Sequence, residues 1–174
     1  RDSDRAYLIM EYLEGVNGTQ DLLGFVMRFS PLSEKMSRSI FAQLLDAVKH
    51  CHENGFSHRD IKPENVVVTK SRYPSTSSGH KIRVVLLDFG LSCRADLKAK
   101  PCGTPLYSAP EEFMEGRKIE TMPADMWSLG VVLYVCVCGK LPYEAPTLSK
   151  LREKIIYDSL DIPNTLSDSC VELL

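Results

Sequence analysis

The sequence predicts an α+β domain that is mainly helical and carries one short β-hairpin. Two β-branched runs, VVVT at 66–69 and IRVVLL at 82–87, are placed to form the hairpin, whereas most other apolar residues recur at helical spacing. Strands and helices do not alternate in the βαβ order of a parallel sheet. The chain of 174 residues is long enough for one domain with its own core, and it contains no internal repeat.

Composition is that of an ordinary globular protein. The chain is 44% hydrophobic with a formal net charge of −2, so we expect no nucleic-acid partner. The six cysteines form no CxxC pair, which predicts reduced thiols and an intracellular protein, with the cytoplasm favoured and the nucleus left open. The longest apolar stretch, 129–139, is too short to span a bilayer. It predicts a buried helix and no membrane partner.

The N-terminal half is predicted to hold one strand and two helices. The run RAYLIMEYL at 5–13 predicts a strand, and DLLGFVMRF at 21–29 predicts a short amphipathic helix. The next apolar residues follow helical spacing up to position 48, with Ser33 as the N-cap. Asn54 and Gly55 supply a left-handed stop.

The C-terminal half is predicted to begin with loops and to end in helices. A polar, serine-rich connector at 70–81 joins the two hairpin strands. The region 88–111 has little periodicity and predicts a long loop, which at that length is usually functional or disordered. Helices are predicted at about 123–138, at about 147–158, and from 167 to the end.

Four motifs follow one another in the middle of the chain. They are HRDIKPEN at 58–65, LLDFG at 86–90, GTPLYSAPE at 103–111 and DMWSLG at 125–130. A charge run such as the first is usually a solvated loop. However, the pattern HRDxKPxN fixes six letters, and its chance frequency is about 10⁻⁸ per position at average composition.

Taken together, these motifs resemble those of the eukaryotic protein kinases. Lys62 and the segment 103–111 resemble the serine/threonine type, and the stretches CGTP and LPYEA resemble the calmodulin-dependent group. The resemblance covers 1–174 as a partial kinase domain, consisting of the hinge at YLIMEYLEG and most of the helical C-terminal lobe. It implies that the N-terminal lobe is missing, so we expect the chain alone to be inactive and to expose apolar surface.

The resemblance assigns the chemistry to a few polar residues. Phosphoryl transfer depends on positioning and on positive charge around a triphosphate. Asp60 is implied to be the catalytic base that orients the substrate hydroxyl, Lys62 to meet the γ-phosphate, and Thr104 to bond near both. Asn65 and Asp88 are implied to be Mg²⁺ ligands, since this cation prefers hard oxygen donors. The hairpin should bring these two residues to one place.

ATP is the implied nucleotide. Backbone groups of the hinge from Glu11 to Leu13 would bond adenine, and Asp21 would reach the ribose. Val67 is either the apolar floor of this site or plain core packing. The complete set implied to bind the cofactor is Glu11, Leu13, Asp21, Lys62, Glu64, Asn65, Val67 and Asp88.

Three further residues are implied to be structural. Asp125 resembles the buried helix aspartate that holds the backbone around HRD. His58 and Phe89 resemble packing residues of the interior.

One departure from the family pattern concerns Lys100. Many kinases carry a serine or threonine at this position, four residues before the threonine of the GTP motif, and its phosphate binds the arginine beside the catalytic aspartate. Here Arg59 would have no phosphate partner, and Lys100 would repel it. We therefore expect that phosphorylation at this position does not switch the protein.

The substrate and the class of function remain open at this point. Asp21, Glu64 and Glu153 align with acidic positions that bind arginine upstream of the phosphorylated residue, but they are equally explained as exposed surface acids. The expected function is a serine/threonine protein kinase acting on a protein substrate. The alternatives are a pseudokinase or a truncated scaffold without activity of its own. Retention of Asp60, Lys62, Asn65 and Asp88 favours the enzyme.

Overall fold

The computed structural model describes residues 7, 9–19, 21–70, 82–97, 100–114 and 119–174. The helices are α1 (Leu22–Phe29), α2 (Glu34–Glu53), α3 (Thr121–Cys138), α4 (Leu148–Tyr157) and α5 (Asp168–Val171). The strands are β1 (Phe56–Ser57), β2 (Val66–Lys70), β3 (Ile82–Leu86) and β4 (Cys93–Arg94). They form two separate two-stranded sheets, β1–β4 and β2–β3. The mixed, mainly helical architecture confirms the α+β prediction.

Helices α1 and α2 begin where their capping signals lie. The Asp21 carboxylate accepts the Gly24 N–H at 2.7 Å, and the Ser33 hydroxyl accepts the Met36 N–H at 3.3 Å. Helix α2 ends at Glu53 with Asn54 as its C-cap, and the following Gly55 has a φ of 78°. Its residues Ile40, Leu44 and Val48, spaced four apart, are buried in the core.

The predicted hairpin is present. Strands β2 and β3 pair antiparallel from Val66↔Leu86 to Lys70↔Ile82. Val66 and Val68 pack in the main core, whereas Val67 is also buried but lies outside that cluster, as the alternation of a strand requires. Of the connector predicted at 70–81, residues 71–81 lie outside the described residues.

The strand predicted at 5–13 is wrong for the part that the structure describes. Residues 7 and 9–13 are not in a strand, and near them the described chain shows a single bridge, Gly15↔Thr69. A strand requires a hydrogen-bonded neighbour, and no described residue provides one. Tyr7, Ile9, Met10 and Tyr12 are instead exposed, Ile9 by 93%. This is an apolar surface of the expected kind, and its burial by a second lobe stays a prediction.

The loop predicted at 88–111 is largely correct for its described residues, 88–97 and 100–111, but these contain short elements that periodicity could not indicate. Strand β4 pairs with β1 through Phe56↔Arg94 and Ser57↔Cys93. Single turns of 3₁₀ helix occupy 105–107 and 110–113. Two-residue strands carry no period, so their formation depends on tertiary contacts.

Helix α3 is the central core helix, as predicted. It is long and apolar enough to cross a membrane by composition, with a mean hydropathy of 1.4, but 67% of it is buried inside the domain. It begins at Thr121, two residues before the predicted start. The last helix is shorter than predicted, because the amides of Leu173 and Leu174 bond three residues back, to the carbonyls of Cys170 and Val171.

Gln43 of α2 covers the outer edge of the hairpin. The Val84 N–H donates to its Oε1 at 3.2 Å, and its Nε2 lies 3.4 Å from the Ile82 carbonyl oxygen. The side-chain amide therefore pairs with β3 as a third strand would. We expect Gln43→Leu to lower the free energy of unfolding by about 1–2 kcal/mol, since it leaves the Val84 N–H without an acceptor.

Urea denaturation measures this effect. The matched control is Asp46→Leu on an exposed position of the same helix, for which we expect a change within about 0.5 kcal/mol. Equal effects of the two substitutions would contradict the edge-pairing role of Gln43.

Candidate active site

The HRD segment is held by a buried carboxylate. Asp125 is 1% exposed, and it accepts the His58 N–H at 2.9 Å and the Arg59 N–H at 2.8 Å. Arg59 has a φ of 70°, so the chain turns sharply here. The predicted role of Asp125 is confirmed.

His52 is a third partner of Asp125 that sequence reasoning missed. Its Nε2 lies 2.8 Å from Asp125 Oδ2. The two residues are 73 positions apart in the sequence, and His52 belongs to no motif, so no local signal could have found the contact. The carboxylate is thus bonded from α2 as well as from the loop that it orients.

His58 packs below the loop, as predicted. Its Nδ1 accepts the Asp60 N–H at 3.3 Å, so its Nε2–H donates to the Leu87 carbonyl at 2.9 Å. The Phe89 ring meets it edge-on, with centroids 4.8 Å apart. His58 is fully buried, whereas Phe89 remains 49% exposed.

The four residues predicted to be catalytic form one connected group. Asp60 Oδ1 accepts from the Thr104 hydroxyl at 2.9 Å, and Asp60 Oδ2 lies 2.8 Å from Lys62 Nζ and 3.1 Å from Asn65 Nδ2. Lys62 Nζ also donates to Thr104 Oγ1 at 2.8 Å. Thr104, which lies 44 positions away in the sequence, therefore bridges the carboxylate and the ammonium group.

Asp60 is held ionised by this group. Burial alone would raise its pKa, but hydrogen bonds from Lys62, Thr104 and Asn65 outweigh burial and leave the pKa below its usual value. A carboxylate with a lowered pKa is a weak base and a good acceptor. Its ground-state role is therefore to accept a hydrogen bond from a hydroxyl and orient it.

This lowered pKa predicts an acid-dependent stability. Because the pKa is lower in the folded than in the unfolded state, the stabilisation by Asp60 is present above the unfolded value of about 4 and is lost as pH falls through the folded value. We expect the free energy of unfolding of the wild type to fall relative to that of Asp60→Asn as the pH drops below about 4. Urea denaturation between pH 2.5 and 7 measures it. Exposed Asp46→Asn is the control, and a pH-independent difference for Asp60→Asn would contradict the prediction.

The predicted metal ligands lie at the base of the hairpin. The Leu87 N–H donates to the Asn65 carbonyl at 2.8 Å, so the ladder places Asn65 and Asp88 at the same end. Asn65 uses its Nδ2 on Asp60, and no described residue donates to its side-chain oxygen. Asp88 is exposed, with a φ of 61°, and one of its oxygens accepts the Gly90 N–H at 3.1 Å.

These oxygens fit Mg²⁺. The hydrogen bonds from Asn65 Nδ2 to Asp60 orient the Asn65 amide and leave its side-chain oxygen available as a metal ligand. Asp88 supplies a negatively charged oxygen. Among the described residues, no cluster of three or more His, Cys, Asp or Glu could hold a metal ion. The remaining ligands would have to come from a nucleotide and water, as is usual for this cation.

The predicted nucleotide residues are only partly brought together. Glu11 and Leu13 line a cleft of about 450 Å³ with Thr69 and Lys70, and this cleft does not include Asp60 or Asp88. The remaining nucleotide and substrate candidates lie outside it: Asp21 caps α1, Val67 is 4% exposed, and Glu64 and Glu153 are on the surface.

The expected repulsion between Arg59 and Lys100 does not separate them. Arg59 Nη2 donates to the Lys100 carbonyl at 2.6 Å, and Nη1 donates to the Leu91 carbonyl at 3.3 Å. Both acceptors are main-chain carbonyl oxygens. They can accept from a guanidinium group even when the residue itself carries a positively charged side chain. Arg59 is therefore bonded to two main-chain carbonyls, and the absence of a phosphate partner stays a prediction.

Comparison with known proteins agrees with the motifs. The family model of the protein kinase domain matches residues 1–174. The serine/threonine-protein kinase SIK3 homolog of Danio rerio is 36% identical over 97% of the chain, sperm motility kinase 2A of Mus musculus is 36% identical over 94%, and serine/threonine-protein kinase SIK1 of Mus musculus is 35% identical over 98%. The chain spans 13%, 30% and 20% of the length of these three proteins. The chain belongs to the protein kinase domain family.

Proposed function

We propose that the protein transfers the γ-phosphoryl group of ATP to a serine or threonine hydroxyl of a protein substrate. The observation that carries this proposal is the connected group of Asp60, Lys62, Thr104 and Asn65. It combines an ionised acceptor, a cation and two fixed dipoles within hydrogen-bonding distance. Phosphoryl transfer requires such positioning and charge balance rather than covalent chemistry.

Each member of the group has a separate task. Asp60 accepts a hydrogen bond from the substrate hydroxyl, aligns its oxygen for attack and takes its proton as the new oxygen–phosphorus bond forms and the bond from the γ-phosphorus to the bridging oxygen of ATP breaks, releasing ADP. Lys62, whose side chain is 20% exposed, offers its ammonium group to the transferred phosphoryl oxygens. Thr104 forms hydrogen bonds with both Asp60 and Lys62 and so fixes their relative position. Neither side chain then has to move when ATP and the substrate bind.

Asn65 and Asp88 hold Mg²⁺ in this proposal. When bound, the cation neutralises charge on the phosphate oxygens. The protein's contribution is to present two hard oxygens from the base of one hairpin. The Asn65 amide also ties the metal side of the site to Asp60, since its Nδ2 donates to both the Asp60 carboxylate and the Asp60 carbonyl.

Asp88→Asn tests the metal assignment. We expect transfer by the full-length protein to fall by about 10²-fold or more, because the substitution removes the only negative charge of the proposed ligand pair. A labelled-phosphate assay over a range of Mg²⁺ concentrations measures it. Asp96→Asn, an exposed aspartate paired with Arg94, is the control. If Asp88→Asn kept more than half of the wild-type rate, the assignment would be wrong.

The nucleotide and substrate contacts extend the proposal. In this proposal, backbone groups from Glu11 to Leu13 bind adenine against Val67, Asp21 reaches the ribose, and Glu64 completes the nucleotide-binding set, although Val67, Asp21 and Glu64 do not line the cleft that contains Glu11 and Leu13. The serine/threonine class is supported by Lys62, by the segment 103–111 and by relatives named serine/threonine-protein kinases. Placement in the calmodulin-dependent group and an intracellular location stay predictions.

Recognition of basic residues upstream of the phosphorylated hydroxyl remains part of the proposal. Its proposed binding residues are Asp21, Glu64 and Glu153, of which Glu64 and Glu153 are exposed. A peptide library with arginine at varied upstream positions tests this preference. Equal rates for basic and neutral peptides would contradict it.

The transfer itself is tested with γ-labelled Mg·ATP and matched peptides that differ only in serine, threonine or tyrosine as the acceptor. We expect the full-length protein to label serine and threonine peptides and not the tyrosine peptide. Nucleotide binding without any label transfer would instead favour the pseudokinase or scaffold alternative.

A further inference from the structure

The far end of the β2–β3 hairpin holds residues 11–15, here called the hinge segment. The Thr69 hydroxyl donates to the Glu14 carbonyl at 2.6 Å. The main chains of Thr69 and Gly15 also form an antiparallel bridge. Thr69 therefore contacts the hinge segment through both its side chain and its main chain.

Arg83 adds a second contact from the same rung of the hairpin. It stands directly opposite Thr69 in the β2–β3 register. Its Nη1 lies 3.6 Å from Glu11 Oε1, and both side chains are about half exposed. Ion pairs of this kind contribute little. The hydrogen bond from Thr69 is therefore the stronger of the two side-chain contacts.

The alternation of strand β2 relates Thr69 to Val67. Residues two apart in a strand lie on the same face, so these two side chains share one face of β2. Val66 and Val68 are on the other face and pack in the main core. Since Thr69 bonds the hinge segment, its face is the one that is turned towards that segment. Val67, the proposed floor of the adenine site, belongs to the same face.

The opposite end of this hairpin carries the proposed metal ligands. Asn65 directly precedes β2, and its carbonyl accepts the Leu87 N–H at 2.8 Å, next to Asp88. At the rise of an extended strand, positions 65 and 69 are about 13 Å apart. One hairpin therefore connects the residues proposed for the phosphate-bound metal with the segment proposed for adenine, and it fixes the distance between them.

We propose that Thr69 is a positioning residue for nucleotide binding, which holds the hinge segment at a fixed place relative to Asn65 and Asp88. This role rests on the proposed function, because it requires that the hinge segment binds adenine. A segment that is fixed before binding does not have to be ordered by the nucleotide, which lowers the cost of binding.

Steady-state kinetics of the full-length protein test this role. Thr69→Val keeps the β-branched shape but loses the donor. We expect it to raise the KM for ATP about three- to tenfold and to leave kcat within about twofold of wild type, because Asp60 is not affected. Thr69→Ser keeps the hydroxyl group and should restore the wild-type KM. The control is Thr165→Val, at an exposed position before α5, which should change neither constant.

Inorganic triphosphate with Mg²⁺ distinguishes a positioning role from general damage. It has the phosphate groups of ATP but no base, so its inhibition constant should change by less than about twofold in Thr69→Val. An equal weakening of ATP and triphosphate would overturn the inference. An unchanged KM for ATP in Thr69→Val, or a raised KM in Thr69→Ser, would also overturn it.

Hydrogen exchange of the hinge segment supplies a measurement that does not depend on activity. We expect its amides to exchange about tenfold faster in Thr69→Val than in wild type, and at the wild-type rate in Thr69→Ser. A wild type that binds no ATP would contradict the proposed function. A wild type that binds ATP, together with unaltered exchange in Thr69→Val, would contradict this inference alone.

Discussion

Asp60→Asn is expected to lower kcat for phosphoryl transfer by about 10³-fold or more while leaving the protein folded. The asparagine keeps the shape of the side chain but loses the charge that accepts the substrate proton. It also places an amide donor near either the Thr104 hydroxyl, which donates at 2.9 Å, or Lys62, whose ammonium group lies 2.8 Å away. The connected group is then broken at its centre.

The measurement is kcat and KM with a labelled peptide at saturating Mg·ATP. We expect the KM for ATP to change by less than about threefold, because Asp60 addresses the hydroxyl and not the nucleotide. The matched control is Asp46→Asn, an exposed aspartate on α2, which should retain the wild-type rate. A kcat within tenfold of wild type for Asp60→Asn would contradict the assigned role.

Asp125→Asn is expected to be the most destabilising conservative substitution in the site. The buried carboxylate accepts the N–H groups of His58 and Arg59 and a bond from His52. An amide in its place must direct an N–H towards another donor. We expect a loss of about 2–4 kcal/mol in the free energy of unfolding, since a buried donor is left without an acceptor and a charge-assisted network is broken.

Urea denaturation measures this loss, and two variants of His52 resolve its cause. His52→Gln keeps an N–H donor towards Asp125, whereas His52→Leu does not. We therefore expect the leucine variant to be less stable than the glutamine variant. Wild-type stability for Asp125→Asn would show that the HRD backbone is held by other contacts.

Two elements could be predicted because the residues that define them are close together in the sequence. Helix α2 has its cap at Ser33, its periodic apolar face and its stop at Asn54, all within one segment. The hairpin likewise follows from two neighbouring β-branched runs. In both cases the interactions that define the element lie close in sequence.

Long-range contacts could not be predicted in the same way. The β1–β4 pair, the His52 bond to Asp125 and the Arg59 bond to the Lys100 carbonyl join residues tens of positions apart. The strand predicted at 5–13 is wrong at its described residues, 7 and 9–13, for the same reason, because an apolar run does not show whether a partner strand exists. The repulsion predicted between Arg59 and Lys100 does not keep them apart, because Arg59 bonds the main-chain carbonyl of Lys100 and not its side chain.

The catalytic group was predicted from family resemblance, not from periodicity or composition. Nothing in the local pattern brings Thr104 to Asp60. The structure does so by seating Gly103 against Arg59, which places the Thr104 hydroxyl within hydrogen-bonding distance of both Asp60 and Lys62. The motifs therefore predicted which residues belong to the catalytic group. The contacts in the structure explain why these residues stand where they do in the sequence.

The central claim is that Asp60 and Lys62 act as parts of one phosphoryl-transfer centre. A double-mutant cycle on kcat, with Asp60→Asn, Lys62→Met and the double variant of the full-length protein, tests it most directly. Residues that act as a unit give strongly non-additive losses. We expect the double variant to be about as slow as the worse single variant. Losses that multiply, or a wild-type protein that transfers no label from Mg·ATP, would contradict the claim.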